Sequence, residues 1–308
     1  MSRVLLLEGP LKERIWGSNY FKETLKITNC DDRFGELWSC SGHPEGNSII
    51  INGMYQGETL ENLFFKHPEL FNYQGYDRFP VLVKLIATSD RLSVQVHPDD
   101  QYALEKENEL GKTEGWLIID KKDSSKIVCG HNAKNKEELI KLINENDYDR
   151  LLYEVDVKVG DFYPIYPGTI HAIGKDLVII EIQQSSNVTY RFYDYNRKDD
   201  KGNYRQLHLD KAIEVTTYNK LNNETLNIYQ EDQFVIWDNQ YFTLRKMAIR
   251  DKDTIINDTG KAIIVTIAEG ILSIENHQLH IGESFIILAS TSKIELVGCG
   301  IVLITEVK

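Results

Sequence analysis

Three short segments of the chain carry side chains that could meet around one metal ion. Residues 95–99 read Gln-Val-His-Pro-Asp, residues 112–116 read Lys-Thr-Glu-Gly-Trp, and residues 167–171 read Pro-Gly-Thr-Ile-His. The candidate donors are Gln95, His97, Glu114 and His171. One amide, two imidazoles and one carboxylate suit Zn²⁺ with a position left open for water or a substrate. The segments therefore predict a metal site, and its open position favours catalysis.

The spacing of the first segment supports this prediction. Gln95 and His97 are two residues apart on a predicted strand, so their side chains lie on the same face, and Pro98-Asp99 then ends the strand and begins a helix. An isolated histidine at such a place is more often structural. Glu114 and His171, each in a motif of suitable form, are what favour a metal site.

Charge limits the range of partners. The formal net charge of −12 disfavours nucleic acid or an anionic membrane as a general partner. It is compatible with a small anionic substrate, because a few basic residues can dominate the potential inside a cleft. The chain alone does not predict an oligomeric state.

Cysteine spacing and hydropathy bear on the compartment. The four cysteines, Cys30, Cys40, Cys129 and Cys299, are scattered without a C-x-x-C pair, which favours free thiols over a zinc ribbon or redox pair. The apolar run 4–7 is too short for a signal peptide, and no later run approaches a membrane span. We therefore expect a soluble, cytoplasmic protein.

Short strands dominate the pattern and predict an all-β fold. Segments rich in β-branched residues and bounded by Gly, Asp or Asn lie at 79–86, 151–159, 177–182 and 261–268. Apolar residues three or four apart predict helices at 58–71, 99–110, 135–144 and 207–216, with Pro68 breaking the first and Asp99 capping the second. Few strands alternate with helices, which favours a sandwich or jelly roll over a doubly wound fold.

A polar stretch at 218–232 predicts a linker between two units. We expect a catalytic domain at 1–225, with a helical insertion around 99–150, and a second domain at 226–308. Glycine-bounded strand patterns at 160–171 and 270–288 both resemble the jelly-roll cupin signature. The second pattern is followed by Ala-Ser-Thr at 289–291 and no histidine, so we expect it to hold no metal, with His277 and His280 on the surface.

Several separated motifs, in order, carry a resemblance to a known family. They are Ile-Trp-Gly at 15–17, Gly-Glu-Leu-Trp at 35–38 with Ser41, the segments 95–100, 111–116 and 168–174, and the long segment 181–197. The chain resembles the type I phosphomannose isomerases, or mannose-6-phosphate isomerases, in their short bacterial form. Ser18, Asn187 and Asn196 depart from the usual pattern, and none is a proposed metal ligand.

The resemblance implies zinc held by Gln95, His97, Glu114 and His171, and interconversion of mannose 6-phosphate and fructose 6-phosphate through a cis-enediol. A hydrogen must move between C1 and C2. A metal that polarises the substrate oxygens lowers that barrier by several kcal/mol. A general acid-base residue contributes about 10²- to 10⁴-fold more.

Further residues are assigned catalytic roles. We expect Glu181 to be the base, since the family pattern places a carboxylate on that strand, although a structural pair with a lysine is its alternative. Lys84 lies within an apolar run, so it either pairs with a carboxylate or faces the site. Lys112 could stabilise enediolate charge. Arg191 and Arg197 are the candidates for binding the phosphate, with Ser93 as a hydroxyl donor. We also expect Arg191 to be a catalytic residue.

Two other functions stay open from the residues alone. Two histidines and a carboxylate also fit an iron-dependent cupin oxygenase. The pocket could instead belong to a sugar-phosphate sensor without turnover.

Overall fold

The computed structural model describes residues 3–28, 30–199, 201–218 and 226–308, and the described chain is mainly antiparallel β-structure. The strands are β1 Val4–Glu8, β2 Leu11–Glu13, β3 Phe34–Cys40, β4 Gly42–His43, β5 Gly46–Asn47, β6 Ile49–Ile50, β7 Val81–Ala87, β8 Val94–Val96, β9 Glu114–Lys121, β10 Lys126–His131, β11 Leu152–Asp156, β12 Asp161–Ile165, β13 His171–Ile173, β14 Leu177–Gln184, β15 Tyr190–Tyr193, β16 Leu226–Asn227, β17 Gln233–Asp238, β18 Phe242–Ile256, β19 Ile263–Ile274, β20 His277–Leu279, β21 Ser284–Ile287 and β22 Lys293–Val307. The helices are α1 Tyr20–Glu23, α2 Leu60–Lys66, α3 Asp100–Glu107, α4 Lys136–Asn144, α5 Tyr148–Leu151 and α6 Leu209–Val215, with 3-10 turns at Gly53–Tyr55 and Pro68–Leu70.

Three large sheets build the molecule. A seven-stranded sheet has the order β16-β12-β9-β14-β7-β3-β2, and a five-stranded sheet has the order β11-β10-β13-β8-β15. An eight-stranded sheet runs β17-β18-β22-β19-β21-β1-β6, with β20 paired to β19. The predicted all-β fold class is confirmed.

Central strands of the seven-stranded sheet are buried on both faces. Every residue of β7 and β14 is buried. On β14, Ile180 and Ile182 pack into a core shared with the C-terminal unit, whereas Ile179 packs with Trp116 on the other face. Glu181 lies between Ile180 and Ile182 and so shares the face of Ile179. The apolar runs of the sequence thus conceal an alternation that places a few polar side chains between sheets.

The helices cover the outside of the five-stranded sheet. Residues of α4, α5 and α6 pack with Val94, Val96 and Val128 in one apolar cluster. The predicted helices are present with shorter bounds. Asp99 accepts the backbone N–H of Tyr102 at 2.9 Å, so its N-cap role is confirmed, and α2 ends at Lys66, before Pro68.

The sheets do not strictly follow the expected division at residue 225. β1 pairs with β21, and β1 also pairs with β6, so two N-terminal strands belong to the sheet of the C-terminal unit. Conversely, β16 pairs with β12. Residues 219–225 of the expected linker lie outside the described residues. The domain bounds stay a prediction, and the two units share one continuous core.

Two smaller expectations concern cysteines and helices. All four cysteines are free thiols, with Cys40 and Cys129 buried. Among the described residues, no helix combines the length and apolarity needed to cross a membrane.

Candidate metal and active site

The two N-terminal sheets bring together three of the predicted donors. His97 follows β8 and His171 begins β13, both in the five-stranded sheet, while Glu114 begins β9 of the seven-stranded sheet. Their ligand atoms all lie within 4.8 Å of one another, and all three side chains are buried. Across the described part of the chain, this is the sole cluster of three such groups.

Each imidazole is oriented by a backbone carbonyl. Nδ1 of His97 lies 2.8 Å from the carbonyl oxygen of Val188, and Nδ1 of His171 lies 2.8 Å from that of Thr169. A proton on each Nδ1 leaves the Nε2 lone pairs pointing into the cluster. Burial, helped by the nearby Lys112 cation, lowers the pKa of His97 to about 3, and burial also lowers the pKa of His171. Both rings are therefore neutral, the form that binds a metal.

Distances within the cluster fit one small cation. The two Nε2 atoms are 3.1 Å apart. Glu114 places Oε1 3.4 Å from Nε2 of His171 and Oε2 3.5 Å from Nε2 of His97. Two zinc bonds of about 2.0–2.1 Å at a tetrahedral angle separate their donors by roughly 3.3–3.4 Å. Oε1 of Glu114 is buried and has no protein hydrogen-bond partner, as expected of an oxygen reserved for a metal.

Lys112 lies against this cluster. Its Nζ is hydrogen-bonded to Oε2 of Glu114 and lies 3.2 Å from Nε2 of His97. Burial disfavours the ammonium, but the carboxylates of Glu114 and Glu181 outweigh burial and raise the pKa of Lys112. Burial acts to raise the pKa of Glu114, yet Lys112 and the two histidines hold it well below its usual value. The pair is thus a buried cation and anion.

Gln95 occupies the position that the sequence predicts for a fourth donor. It lies directly opposite His171 on β13 and opposite Arg191 on β15. Opposed residues of antiparallel strands project from the same face, so Gln95, His171 and Arg191 share one face of the five-stranded sheet. The side chain of Gln95 is half-buried, and its role as a ligand stays a prediction.

Glu181 lies across the site on β14, in register with Lys84 of β7 and Trp116 of β9. Its Oε1 accepts a hydrogen bond of 2.8 Å from Nζ of Lys84, and its Oε2 accepts one of 2.9 Å from Nε1 of Trp116. Nζ of Lys112 is 4.0 Å from Oε1. Lys84 therefore both pairs with a carboxylate and faces the site, two roles that the sequence presented as alternatives.

A second buried carboxylate, Glu36, has no role in the expectations from the sequence. It receives two hydrogen bonds from Arg14, of 2.9 and 2.8 Å, and one of 2.7 Å from Nε1 of Trp38. Burial opposes ionisation, but Lys84 and Arg14 lower its pKa. The sequence motif at 35–38 includes Glu36. Its pairing with Arg14 depends on the contact between β2 and β3, which the motif does not specify.

The two arginines expected at the phosphate differ in their contacts. Arg197 donates to Asp194 at 2.7 Å and to Asp90 at 3.1 Å. Arg191 donates from Nη1 to the carbonyl oxygen of Gln206 at 2.8 Å. The buried Nε of each of the two arginines has no hydrogen-bond partner. Arg205, which sequence reasoning missed, also pairs with Asp194.

Arg197 and Arg205 therefore pair with the buried Asp194, and Arg191 lies near them without an ion pair to that carboxylate. Burial, and after it the charge of Arg205, lowers the pKa of Arg191. The excess positive charge is a suitable environment for an anion. Ser93 is buried just before β8, one alternation from Gln95.

Comparison with known proteins gives concordant results. The sequence model described as "Phosphomannose isomerase type I, catalytic domain" matches residues 4–114, and that described as "Mannose-6-phosphate isomerase, cupin domain" matches residues 230–306. A mannose-6-phosphate isomerase of Streptococcus mutans is 39% identical over 294 residues, covering 93% of each chain. Mannose-6-phosphate isomerase ManA of Bacillus subtilis is 48% identical over 212 residues, covering 68% of this chain and 67% of that protein. A crystal structure of the Bacillus subtilis mannose 6-phosphate isomerase has a TM-score of 0.89 at 34% identity, covering 99% of this chain and 100% of the other.

The sandwich units and the buried two-histidine, one-carboxylate cluster define a cupin-fold enzyme with a site suited to a single metal ion. Its relatives specify the reaction class. The chain belongs to the type I mannose-6-phosphate isomerase family and is an enzyme of that activity. The oxygenase and the sensor without turnover are thereby set aside.

The contacts of Arg197 predict a structural contribution that Arg191 lacks. Burial acts to raise the pKa of Asp194, but Arg205 and Arg197 lower it. Arg197→Met should reduce the free energy of unfolding at pH 7 by about 1.5–3 kcal/mol, the range for a hydrogen bond to a charged group. Arg191→Met should have a much smaller effect, because its side chain donates to one carbonyl. Urea unfolding measures both.

The pH dependence of this difference follows from the direction of the pKa shift. A carboxyl whose pKa is lower in the folded state stabilises the fold above its unfolded pKa, about 3.9 for Asp, and less as the pH falls below that value. The difference in the free energy of unfolding between the native protein and Arg197→Met should therefore decrease below about pH 4. Equal free energies of unfolding of the native protein and Arg197→Met at pH 7 would show that Arg197 does not stabilise the fold and is available to bind substrate.

Proposed function

We propose that this enzyme is a zinc-dependent aldose-ketose isomerase, with one zinc ion per chain, that interconverts mannose 6-phosphate and fructose 6-phosphate through a cis-enediol. The observation that supports it most directly is the arrangement of His97, Glu114 and His171. Two neutral imidazoles and a carboxylate with an unpartnered oxygen converge at tetrahedral spacing. Gln95, on the same face as His171, would be the fourth ligand. A cytoplasmic location stays a prediction.

Zinc bound at these residues would supply Lewis acidity toward the carbonyl and hydroxyl oxygens at C1 and C2. Lys112 lies between the cluster and Glu181 and so can stabilise the negative charge that develops on the enediol oxygens. Its ammonium also lies 3.2 Å from Nε2 of His97.

Glu181 would act as the base. In the open-chain aldose, it takes the proton from C2 while O1 gains a proton, which gives the enediol. It then returns the proton to C1 while the hydroxyl at C2 loses its proton, which gives the ketose. Lys84 and Trp116 each hold one of its oxygens, which fixes the plane of the carboxylate. Fixed orientation favours transfer between two adjacent carbons of a bound substrate. Lys112 is the next candidate for the proton carrier.

The phosphate would lie near the arginine cluster. Arg191 has a buried Nε without a partner and shares a sheet face with Gln95 and His171. The overall charge of −12 would repel a dianion, so locally concentrated cations are needed to bind one. Arg197 would contribute its charge while paired with Asp194, and Ser93 could donate a hydroxyl.

Replacement of a metal ligand tests the zinc assignment. His171→Ala should lower the zinc content from one per chain to well below that and abolish isomerase activity, because the site loses one of its two imidazoles. Elemental analysis and a coupled assay measure the two effects. His277→Ala, an exposed histidine of the C-terminal unit, is the matched control and should keep both. Stoichiometric zinc in purified His171→Ala would contradict the assignment.

A second replacement separates chemistry from binding. Glu181→Gln should lower kcat by at least about 10²-fold while zinc content and KM change little, because the amide keeps the shape but cannot take the proton. Exchange of the C2 proton with solvent, followed by NMR, reports the step directly. Exchange at the native rate in this variant would move the base to Lys112.

The phosphate contacts predict strong discrimination between substrates. Free mannose should be poorer than mannose 6-phosphate by at least ~10³-fold in kcat/KM if two charge-assisted contacts of about 2 kcal/mol each are lost. Arg191→Ala should reduce that ratio, because it should lower kcat/KM for mannose 6-phosphate more than kcat/KM for free mannose. If Arg191→Ala lowers kcat/KM equally for both sugars, Arg191 acts at the reacting carbons or in the fold. The phosphate subsite must then be sought around Arg197 and Ser93.

A further inference from the structure

A hairpin tip of the C-terminal unit lies beside the segments that carry the proposed metal ligands. This tip, residues 237–242, joins β17 to β18 and comprises Trp237, Asp238, Asn239, Gln240, Tyr241 and Phe242. Oδ1 of Asn239 accepts the backbone N–H groups of Tyr241 and Phe242 at 2.8 and 3.1 Å, which fixes the turn. The tip therefore presents its aromatic side chains in a defined direction.

Tyr241 contacts the loop that delivers Lys112 and Glu114. This ligand loop, residues 108–113, has no helix or strand of its own. The hydroxyl of Tyr241 donates to Oδ2 of Asp100 at 2.7 Å, while Oδ1 of Asp100 accepts the backbone N–H of Gly111 at 2.8 Å. Oδ1 also accepts Nε2 of Gln184 at 2.9 Å. Asp100 thus connects the hairpin tip to the ligand loop.

Gln184 extends this connection to the residue next to Glu114. Its Oε1 accepts the backbone N–H of Thr113 at 2.8 Å, and the backbone N–H of Gln184 donates to the carbonyl oxygen of Thr113 at 3.1 Å. Gly111 has no room for a side chain, because a Cβ there would come within 2.5 Å of the backbone of Asp99 and Asp100. The loop is therefore seated tightly, and the orientation of Asp100 determines where it sits.

Trp237 contacts the segments that lead to the other ligands. A Cβ on Gly115, adjacent to Glu114, would lie 3.0 Å from the Trp237 ring. Nε1 of Trp237 donates to the hydroxyl of Tyr166 at 3.2 Å, and the rings of these two residues are 5.7 Å apart in an edge arrangement. Tyr166 belongs to the loop between β12 and His171. One hairpin tip thus contacts the residue after Glu114 and the loop that leads to His171.

From this geometry we infer that Tyr241 and Trp237 are positioning residues: the C-terminal unit, which carries no metal-ligand cluster among its described residues, holds the ligand loops in the geometry that retains zinc. The inference rests on the proposed zinc site. Tyr241 reaches no ligand directly and acts through Asp100. Outer residues that orient ligands commonly change metal affinity by 10- to 100-fold.

The test uses the zinc-loaded full chain and one hydroxyl. Tyr241→Phe removes only the hydroxyl, which donates to Asp100. Tyr229→Phe is the matched control, because Tyr229 donates to Glu269 at 2.9 Å, wholly within the C-terminal half. The rate of zinc transfer to the chromogenic chelator 4-(2-pyridylazo)resorcinol should rise about tenfold in Tyr241→Phe and less than twofold in Tyr229→Phe. Trp237→Phe replaces the indole ring beside Gly115 with a smaller ring, and it should also accelerate zinc loss.

Amide hydrogen exchange on the zinc-free protein provides a readout that does not depend on the metal. Tyr241→Phe should increase exchange in residues 108–115 and leave the strands of the eight-stranded sheet unchanged. Native zinc release together with native exchange in 108–115 would overturn the inference. Faster exchange spread evenly over the C-terminal unit would overturn it too, since the hydroxyl would then serve general stability. If no form of the protein retains zinc, the proposed function fails while the exchange result still decides the hairpin's role.

Discussion

Charge balance inside the N-terminal sandwich is the constraint on which the site depends. Three buried carboxylates, Glu36, Glu114 and Glu181, lie close to three cations, Arg14, Lys84 and Lys112. An unpaired buried charge would cost several kcal/mol, whereas paired and hydrogen-bonded charges are tolerated. Because the protein charges cancel, a divalent ion bound at the histidines would leave the interior with a net positive charge. A dianionic sugar phosphate is the type of ligand that such an interior favours.

Sequence patterns were most informative where chemistry depends on short spacing. The alternation of Gln95 and His97, the cap at Asp99 and the glycine-led turn before His171 are local features, and the structure places them as expected. Lys84 was recognisable because a lysine in a buried strand needs a partner. Its partner, Glu181, became evident only from the register of β7 and β14.

Contacts between distant strands escaped sequence reasoning. The pairing of Arg14 with Glu36, and of Arg205 with Asp194, depends on registers and loop paths that no local pattern specifies. A register shift on β15 between Arg191 and Tyr193 also went unrecognised. Arg191 pairs with Gln95 on the site face, whereas Tyr193 pairs with Val94 and stacks on Tyr148 at 3.7 Å. A bulge of this kind redirects side chains, so residues in the 181–197 motif serve both the site and its outer covering.

The pairing of β1 with β21 joins Val4 to Ile287, near opposite ends of the chain. During synthesis, β1 is made long before β21, so this part of the sheet cannot close until residues 284–287 have emerged. Chains dominated by such distant pairings fold slowly, and an unpaired strand edge invites association with other chains. A nascent or truncated molecule ending before residue 284 would carry Val4–Glu8 without that partner, making it a natural substrate for chaperones that shield apolar strands.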